Sequence, residues 1–322
     1  MSENSKIEWC DHTFNPWIGC TAISPGCANC YAAAWAKRYG RDFADRTRTK
    51  TWAEPIRWNA QHAEFFAEHG RRQRVFCASL ADVFDNTVDP AWRADLFDLI
   101  EKTPSLDWLL LTKRIGNVMS MISETAQYQF DLDCLEKPHL PDNVWLGATI
   151  VNQEEAERDI PKLLAVSARV RFLSMEPLLG PVNFEGMFAS SDVRDRTNVL
   201  EALDWVIVGG ESGKDGRPMH PDWARNIRDQ CEAAGTKFLF KQWGEWAPGE
   251  NCGGPMKRTE RVADWWDGEW KFDTLTPGAS AGMHYDDEPT VYRVGKKTAG
   301  RHLDGRTHDD FPVIAGLSPE RL

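Results

Sequence analysis

Four cysteines crowd the start of the chain: Cys10, Cys20, Cys27 and Cys30 fall within twenty-one of its 322 residues. Three of them, in the run Trp17-Ile18-Gly19-Cys20 and Ser24-Pro25-Gly26-Cys27-Ala28-Asn29-Cys30-Tyr31, are spaced C-x6-C-x2-C. Three thiolates can hold three irons of a [4Fe–4S] cube and leave the fourth iron open to an outside ligand. Gly19 and Gly26 permit the tight turns that would aim several sulfurs inward. Adding Cys10 gives four thiolates, the donor set of a closed tetrahedral zinc site. That spacing, C-x9-C-x6-C-x2-C, contains one close pair where a zinc ribbon carries two. Iron–sulfur and zinc both remain open on this pattern alone. Cys77, Cys134, Cys231 and Cys252 are scattered and read as packing residues.

A second set of reactive side chains falls where apolar runs end. Asp82 follows Leu80-Ala81, Lys113-Arg114 follow Leu111-Thr112, and Thr149 follows Ala148. Glu176 follows Ser174-Met175, Glu211 follows Gly209-Gly210, and Lys241-Gln242 follow Phe240. Any one of these is explained by a strand meeting water. Six together predict a polar pocket at one rim. The Gly209-Gly210-Glu211-Ser212-Gly213 segment suits a phosphate cradle or an ordinary tight turn; it lacks the spacing of a Rossmann fingerprint or a P-loop.

The elements that must position these residues are short and regularly repeated. Val75–Leu80, Trp108–Thr112, Val144–Ile150, Val170–Met175, Trp205–Val208 and Lys237–Lys241 are near-continuously apolar, as strands covered on both faces are. Helix signals lie between them. Asp89-Pro90 opens an amphipathic run to Ile100, Asn152-Gln153 precede a Glu-rich run to Leu164, and Pro221–Ala234 stops at Gly235. Tyr31–Tyr39 is helix-prone as well. With Ile7–Thr13 as a weaker first strand, the reading is an α/β fold: a partial or complete (β/α) barrel of about six parallel strands over residues 1–245. In that fold, strand ends at the C-terminal face carry the chemistry. From 246 to 322 the chain turns rich in Trp, Gly and Pro and is expected to form an irregular or short-stranded extension, a candidate lid or substrate platform.

The net charge of −11, with 42% hydrophobic and 27% charged residues, excludes a chain that is disordered throughout or coats nucleic acid on every face. Local basic stretches exist: Lys37, Arg38, Arg41, Arg46, Arg48, Lys50 and Arg57, then Arg71, Arg72 and Arg74, and later Arg293, Lys296, Lys297, Arg301 and Arg306. Trp35, Tyr39, Trp52 and Trp58 interleave with the first. No apolar run reaches the roughly 18 residues of a membrane helix, and no apolar leader follows the first residues, so a cytoplasmic protein without a membrane is expected.

Three cysteines after the first strand of a β-α barrel resemble the radical S-adenosylmethionine (SAM) superfamily, although the usual superfamily spacing is C-x3-C-x2-C, three residues shorter. The runs GCTAISPGCANCYAAAWAKRYG, ESG, FKQWGEW and KKTAGRHLDGRTHDDFP more closely resemble a phage-associated family of unknown function, often encoded beside a partner protein named for the three-cysteine motif. The resemblance implies a [4Fe–4S] cluster on Cys20, Cys27 and Cys30, with SAM on the open iron and an electron donor. It implies that Ser79 and Asp82 sit where the SAM amino group is held, that Lys113 and Thr149 meet its carboxylate or ribose, and that Tyr31 stacks on adenine. It points to DNA or RNA repair or modification. Two alternatives stand beside it: a zinc module that binds nucleic acid or protein, and radical SAM modification of the neighbouring partner protein or a small metabolite.

Overall fold

The computed structural model describes residues 3–129, 138–192, 194–252, 259–276 and 289–314; Cys134 and residues 253–255 lie outside them. Seven strands, β1 His12–Phe14, β2 Gln73–Cys77, β3 Leu106–Thr112, β4 Val144–Thr149, β5 Val170–Met175, β6 Trp205–Gly209 and β7 Lys237–Gln242, lie side by side in chain order. All adjacent pairs are parallel. The sheet curls into a half-barrel, so the partial (β/α) barrel read from the sequence is the fold.

Alternation along the strands divides the core into two layers. Val75, Leu110, Leu146, Leu173 and Val208 face outward beneath the helices. Phe76, Leu109, Trp145, Phe172, Ile207 and Leu239 face inward and pack with Trp9 and Cys10, which fill the hollow of the curl. Burial on both faces is why these strands read as unbroken apolar runs. Gly147 belongs to the inner layer, where a Cβ would lie 2.3 Å from the Phe172 ring.

The helices α1 Tyr31–Arg38, α2 Glu54–Ala60, α3 His62–His69, α4 Pro90–Glu101, α5 Val118–Gln129, α6 Gln153–Leu164 and α7 Pro221–Ala234 cover the outside. Their ends follow local chemistry. Asp89 accepts from the Ala91 amide and Asn152 from the Glu155 amide, each occupying an otherwise unpaired N-terminal donor. Gly235, at φ 75°, closes α7 in the left-handed region. One connection departs from the expected rhythm: among the described residues of 176–204 there is no helix. Pro177, Gly180, Pro181 and Gly186 interrupt it.

After β7 the chain is more regular than the sequence suggested. β8 Trp246–Pro248, β9 Glu260–Trp266, β10 Glu269–Leu275 and β11 Thr290–Arg293 form an antiparallel sheet ordered β8-β11-β9-β10. Asp267 and Gly268 turn β9 into β10 with φ 50° and 79°, the two positive values a two-residue hairpin needs. Trp265 and Trp270 pack on His220 and Trp223 at the start of α7, with ring centroids 5.1–6.4 Å apart. The final described segment runs antiparallel beside β7 through Phe240 N–H to His308 O and Asp310 N–H to Phe238 O. It covers a free strand edge there, and the Phe311 ring packs tilted against Trp205 at 5.0 Å. No helix among the described residues is long and apolar enough to cross a membrane.

Candidate functional site at the rim of the half-barrel

The three-cysteine loop enters the rim through a backbone contact that requires glycine. Gly19 N–H donates to Leu80 O just beyond β2. At φ +119° a Cβ on Gly19 would lie 2.2 Å from Asp45 O, so any side chain would push the 43–45 turn away. Cys20 follows at once. Ser24 caps a single 3-10 turn, Pro25–Cys27, and Cys30 sits at the N-cap of α1. Cys27 and Cys30 therefore lie close to the positive end of a helix, where negative charge is favoured.

Four attachments hold this loop to the segments that follow β2, β3, β4 and β6. Beyond β3, the buried Arg114 guanidinium donates to Thr21 O at 2.8 Å and to Cys20 Sγ at 3.4 Å, while pairing with Asp82 at 3.2 Å. At α6, which follows β4, Ser24 Oγ donates to Glu155 Oε1 at 2.6 Å. Beyond β6, Glu211 accepts from Asn29 Nδ2 at 2.9 Å and from Arg217 Nε and Nη2 at 2.8 and 2.6 Å; Arg217 also donates to Pro25 O at 3.1 Å. Beyond β2, Tyr31 Oη donates to Ser79 O. The loop is thus tied to points around the C-terminal mouth of the curl.

These contacts assign the rim residues to different tasks. Asp82 accepts from Thr112 Oγ1, the Lys113 and Phe84 amides and Arg114, so its carboxylate is taken up inside the protein. Glu176 is bound by Lys241 at 2.6 Å and by Gln242 Nε2 at 2.7 Å. Gly209 lies 3.4 Å from Glu176 at its would-be Cβ, and Gly210 would meet Trp243 O at 1.9 Å. The Gly210 amide donates to Gln242 O and the Gly213 amide to Glu245 Oε1. Two amides of the candidate phosphate cradle are therefore occupied; Gly209 packs on Glu176 beyond β5, and Gly210 packs on Trp243 in the loop after β7. Ser79 Oγ faces Asn15 Nδ2 at 3.0 Å.

Among the described residues, Lys113 Nζ reaches Thr149 Oγ1 alone, at 3.5 Å. Its Cε lies 3.6 Å from the Cβ position of Gly26, directly against the cysteine loop. The residue Tyr31 is 60% exposed although its hydroxyl is pinned, which leaves the ring open to stacking. Asn29, Arg217 and Glu155 were invisible to sequence reading, because their partners lie 182, 192 and 131 residues away.

The profile of a family described as Protein of unknown function (DUF5131) matches residues 4–312. The chain belongs to that family. No curated protein and no solved structure matches it. The matched span of this DUF5131 chain includes the cysteine loop, all seven parallel strands and the antiparallel sheet.

The donor set can be tested against the two metals raised by the spacing. Among the described residues no three His, Cys, Asp or Glu side chains converge as ligands of one ion. A single zinc would need its sulfurs within about 4 Å of each other, given Zn–S bonds of about 2.3 Å in a tetrahedron. A cube gives each thiolate its own iron and sets the sulfurs further apart. Cys10 does not join the loop. It is buried in the inner layer with Trp9 and Phe76, and burial pushes its thiol up to about 12. Cys20 is also raised, by burial first, while the Arg114 guanidinium opposes the shift. Cys20, Cys27 and Cys30 are half-buried on one clamped loop, while Cys10 is buried in the inner layer.

Proposed function

We propose that the protein is a radical-SAM-type enzyme in which Cys20, Cys27 and Cys30 hold a [4Fe–4S] cluster at the mouth of the half-barrel. When bound, that cluster and SAM supply one-electron cleavage of the sulfonium to a 5′-deoxyadenosyl radical, given an electron donor. The observation that carries the reading is the loop itself: three cysteines in fewer than a dozen residues, tied at four places to the strand ends of a parallel half-barrel. Fixing the loop backbone fixes where the sulfurs can meet a metal.

The chain's own side chains would do positional work. Lys113 and Thr149 offer an ammonium and a hydroxyl beside the loop for an anionic or hydroxylated group of the cofactor. The exposed Tyr31 ring offers a face for a planar base. Arg114 places a positive charge at Cys20, which favours the thiolate that a metal requires. The Glu176–Lys241 pair closes the side of the mouth nearest β7.

Anaerobically purified protein should be brown and contain about four irons per chain, with both signs lost in Cys27→Ser and retained in Cys10→Ser. Reduction should cleave SAM. A colourless wild type holding one zinc per chain, lost equally in Cys10→Ser and Cys27→Ser, would overturn the proposal.

A further inference from the structure

Helix α1 begins directly after Cys30, its N-cap and the last cysteine of the loop, and carries its aromatic residues on one side. Tyr31, Trp35 and Tyr39 recur every four residues, the spacing that aligns side chains along a helix. Ala32 and Ala36, buried at 4% and 0%, face the core instead. Tyr31 and Tyr39 are 60% and 61% exposed, and the Trp35 and Tyr39 rings lie 4.9 Å apart. The Tyr31 hydroxyl is tied to Ser79 O, but the exposed rings of Tyr31 and Tyr39 bury little surface for the fold. It runs about 12 Å outward from the mouth, at 1.5 Å per residue.

Cations flank the row. Arg41 lies 5.9 Å from the Trp35 centroid, Arg38 falls on the same side of α1, and Lys37 on α1 and Lys50 in the segment after it are exposed. None of these four forms an ion pair among the described residues. Their neighbours differ: Arg46 pairs with buried Asp85, and Arg48 pairs with Asp95 and covers Trp52 at 4.4 Å. Trp58 is fully buried against His12, and Trp52 packs on Phe14. Arg57 pairs with Glu3, so within the first basic stretch the cations without an ion pair among the described residues are Lys37, Arg38, Arg41 and Lys50. Asp42 and Asp45 oppose them, and the excess remains positive.

We propose that α1 and the loop after it form a track for single-stranded nucleic acid leading into the mouth. Bases stack on aromatic faces whatever their identity, and unpaired cations beside them follow the phosphates. A duplex hides its base faces, so the aromatic row selects unpaired bases or a nucleotide already extruded. The track rests on the proposed enzyme reading only for what it leads to; binding itself needs no cluster.

The test is fluorescence anisotropy with a labelled 20-nucleotide DNA strand, the matching RNA strand and the DNA duplex, on wild type and two variants. Four phosphate contacts predict a slope of log affinity against log salt of about −2.8 for single strands, and Arg38→Ala/Arg41→Ala should reduce its size by about 1.4. Tyr39→Ala should weaken binding about tenfold at fixed salt. Folding is checked by circular dichroism, which these surface changes should leave unaltered. A flat salt response, a duplex bound as tightly as the single strand, or unchanged binding in both variants would overturn the track, as would α1-dependent capture of a protein partner alone. A brown, SAM-cleaving protein that ignores oligonucleotides refutes the track and leaves the enzyme reading intact. A colourless protein that binds single strands as described does the reverse.

Discussion

Replacing Glu211 tests whether charge holds the cysteine loop in place. Its carboxylate is 6% exposed as a residue. It accepts from the Arg217 side chain twice, from the Arg217 amide, and from Asn29 in the loop. Removing one partner of a buried pair costs about 3–5 kcal/mol. The Arg217 side chain is 34% exposed, so water recovers part of its solvation and about 2 kcal/mol is expected for Glu211→Ala. In a chain of this size that lowers the melting temperature by about 4 °C. Glu211→Gln keeps one acceptor and should fall between. Burial pushes the carboxyl up, but hydrogen bonds from Arg217 and Asn29 outweigh it and the pKa is lowered from 4.5. A lowered carboxylate stabilises above its unfolded pKa and loses that contribution as pH falls through the folded one. The gap between wild type and Glu211→Ala should therefore be full at neutral pH and close in acid below about pH 4. The local readout is hydrogen exchange at the Cys27 and Cys30 amides, which bond to Ser24 O and Cys27 O; both should exchange faster in the variant. A lower melting temperature with unchanged exchange at those amides would mean that Glu211 braces only its own turn, and the clamp argument would fail.

Gly147→Ala forces a methyl into the Phe172 ring; calorimetry should show a loss of about 1–3 kcal/mol, largely restored by Phe172→Leu, and an unperturbed single variant would contradict the inner-layer packing. Asp107 is buried and burial raises its pKa from 3.8 to about 6. The folded state therefore holds a proton that the unfolded state has released between those values, and stability falls as pH rises through that window. Asp107→Asn should be more stable than wild type by on the order of 2–3 kcal/mol at pH 7.5 and equal to it near pH 4; a gap of opposite sign in denaturant titrations would refute this. Lys113→Met should weaken SAM binding to reconstituted protein by about tenfold in equilibrium dialysis, the loss of one charge-assisted hydrogen bond, and unchanged affinity would remove Lys113 from the site.

The strands and most helices were legible because they depend on local patterns. Strands buried on both sides leave unbroken apolar runs, and Asp89, Asn152 and Gly235 mark helix ends by chemistry that acts within three residues. The hairpin of the antiparallel sheet was also marked, by Asp267-Gly268 between aromatic residues, but frequent Trp and Gly masked it. The site was legible as a list of residue types and illegible as a set of jobs. Asp82, Glu176 and Glu211 look alike at strand ends. Which of them faces a ligand depends on Arg114, Lys241 and Arg217, and the sequence gives no signal that pairs Glu176 with a residue 65 positions away. The basic stretch shows the same limit: Arg46 and Arg38 differ only in that Asp85 folds back to meet one of them.

The carboxylates and cations of the rim thus separate by partnership. Asp82 meets Arg114, Glu211 meets Arg217, and Glu176 meets Lys241. Of the cations placed at strand ends, Lys113, Arg114 and Lys241, only Lys113 lacks an ion pair among the described residues. A buried charge without a counter-charge is costly, whereas a paired one is tolerated. The three pairs therefore act as braces, each fixing a loop whose backbone carries no regular structure. Two of the three, through Arg114 and Arg217, hold the segment that carries the cysteines. Thiolates brought to a metal there would add negative charge beside Arg114 and Lys113, at the part of the rim where positive charge is already held. The polar residues at the strand ends thus set the position of the loop that carries the three cysteines.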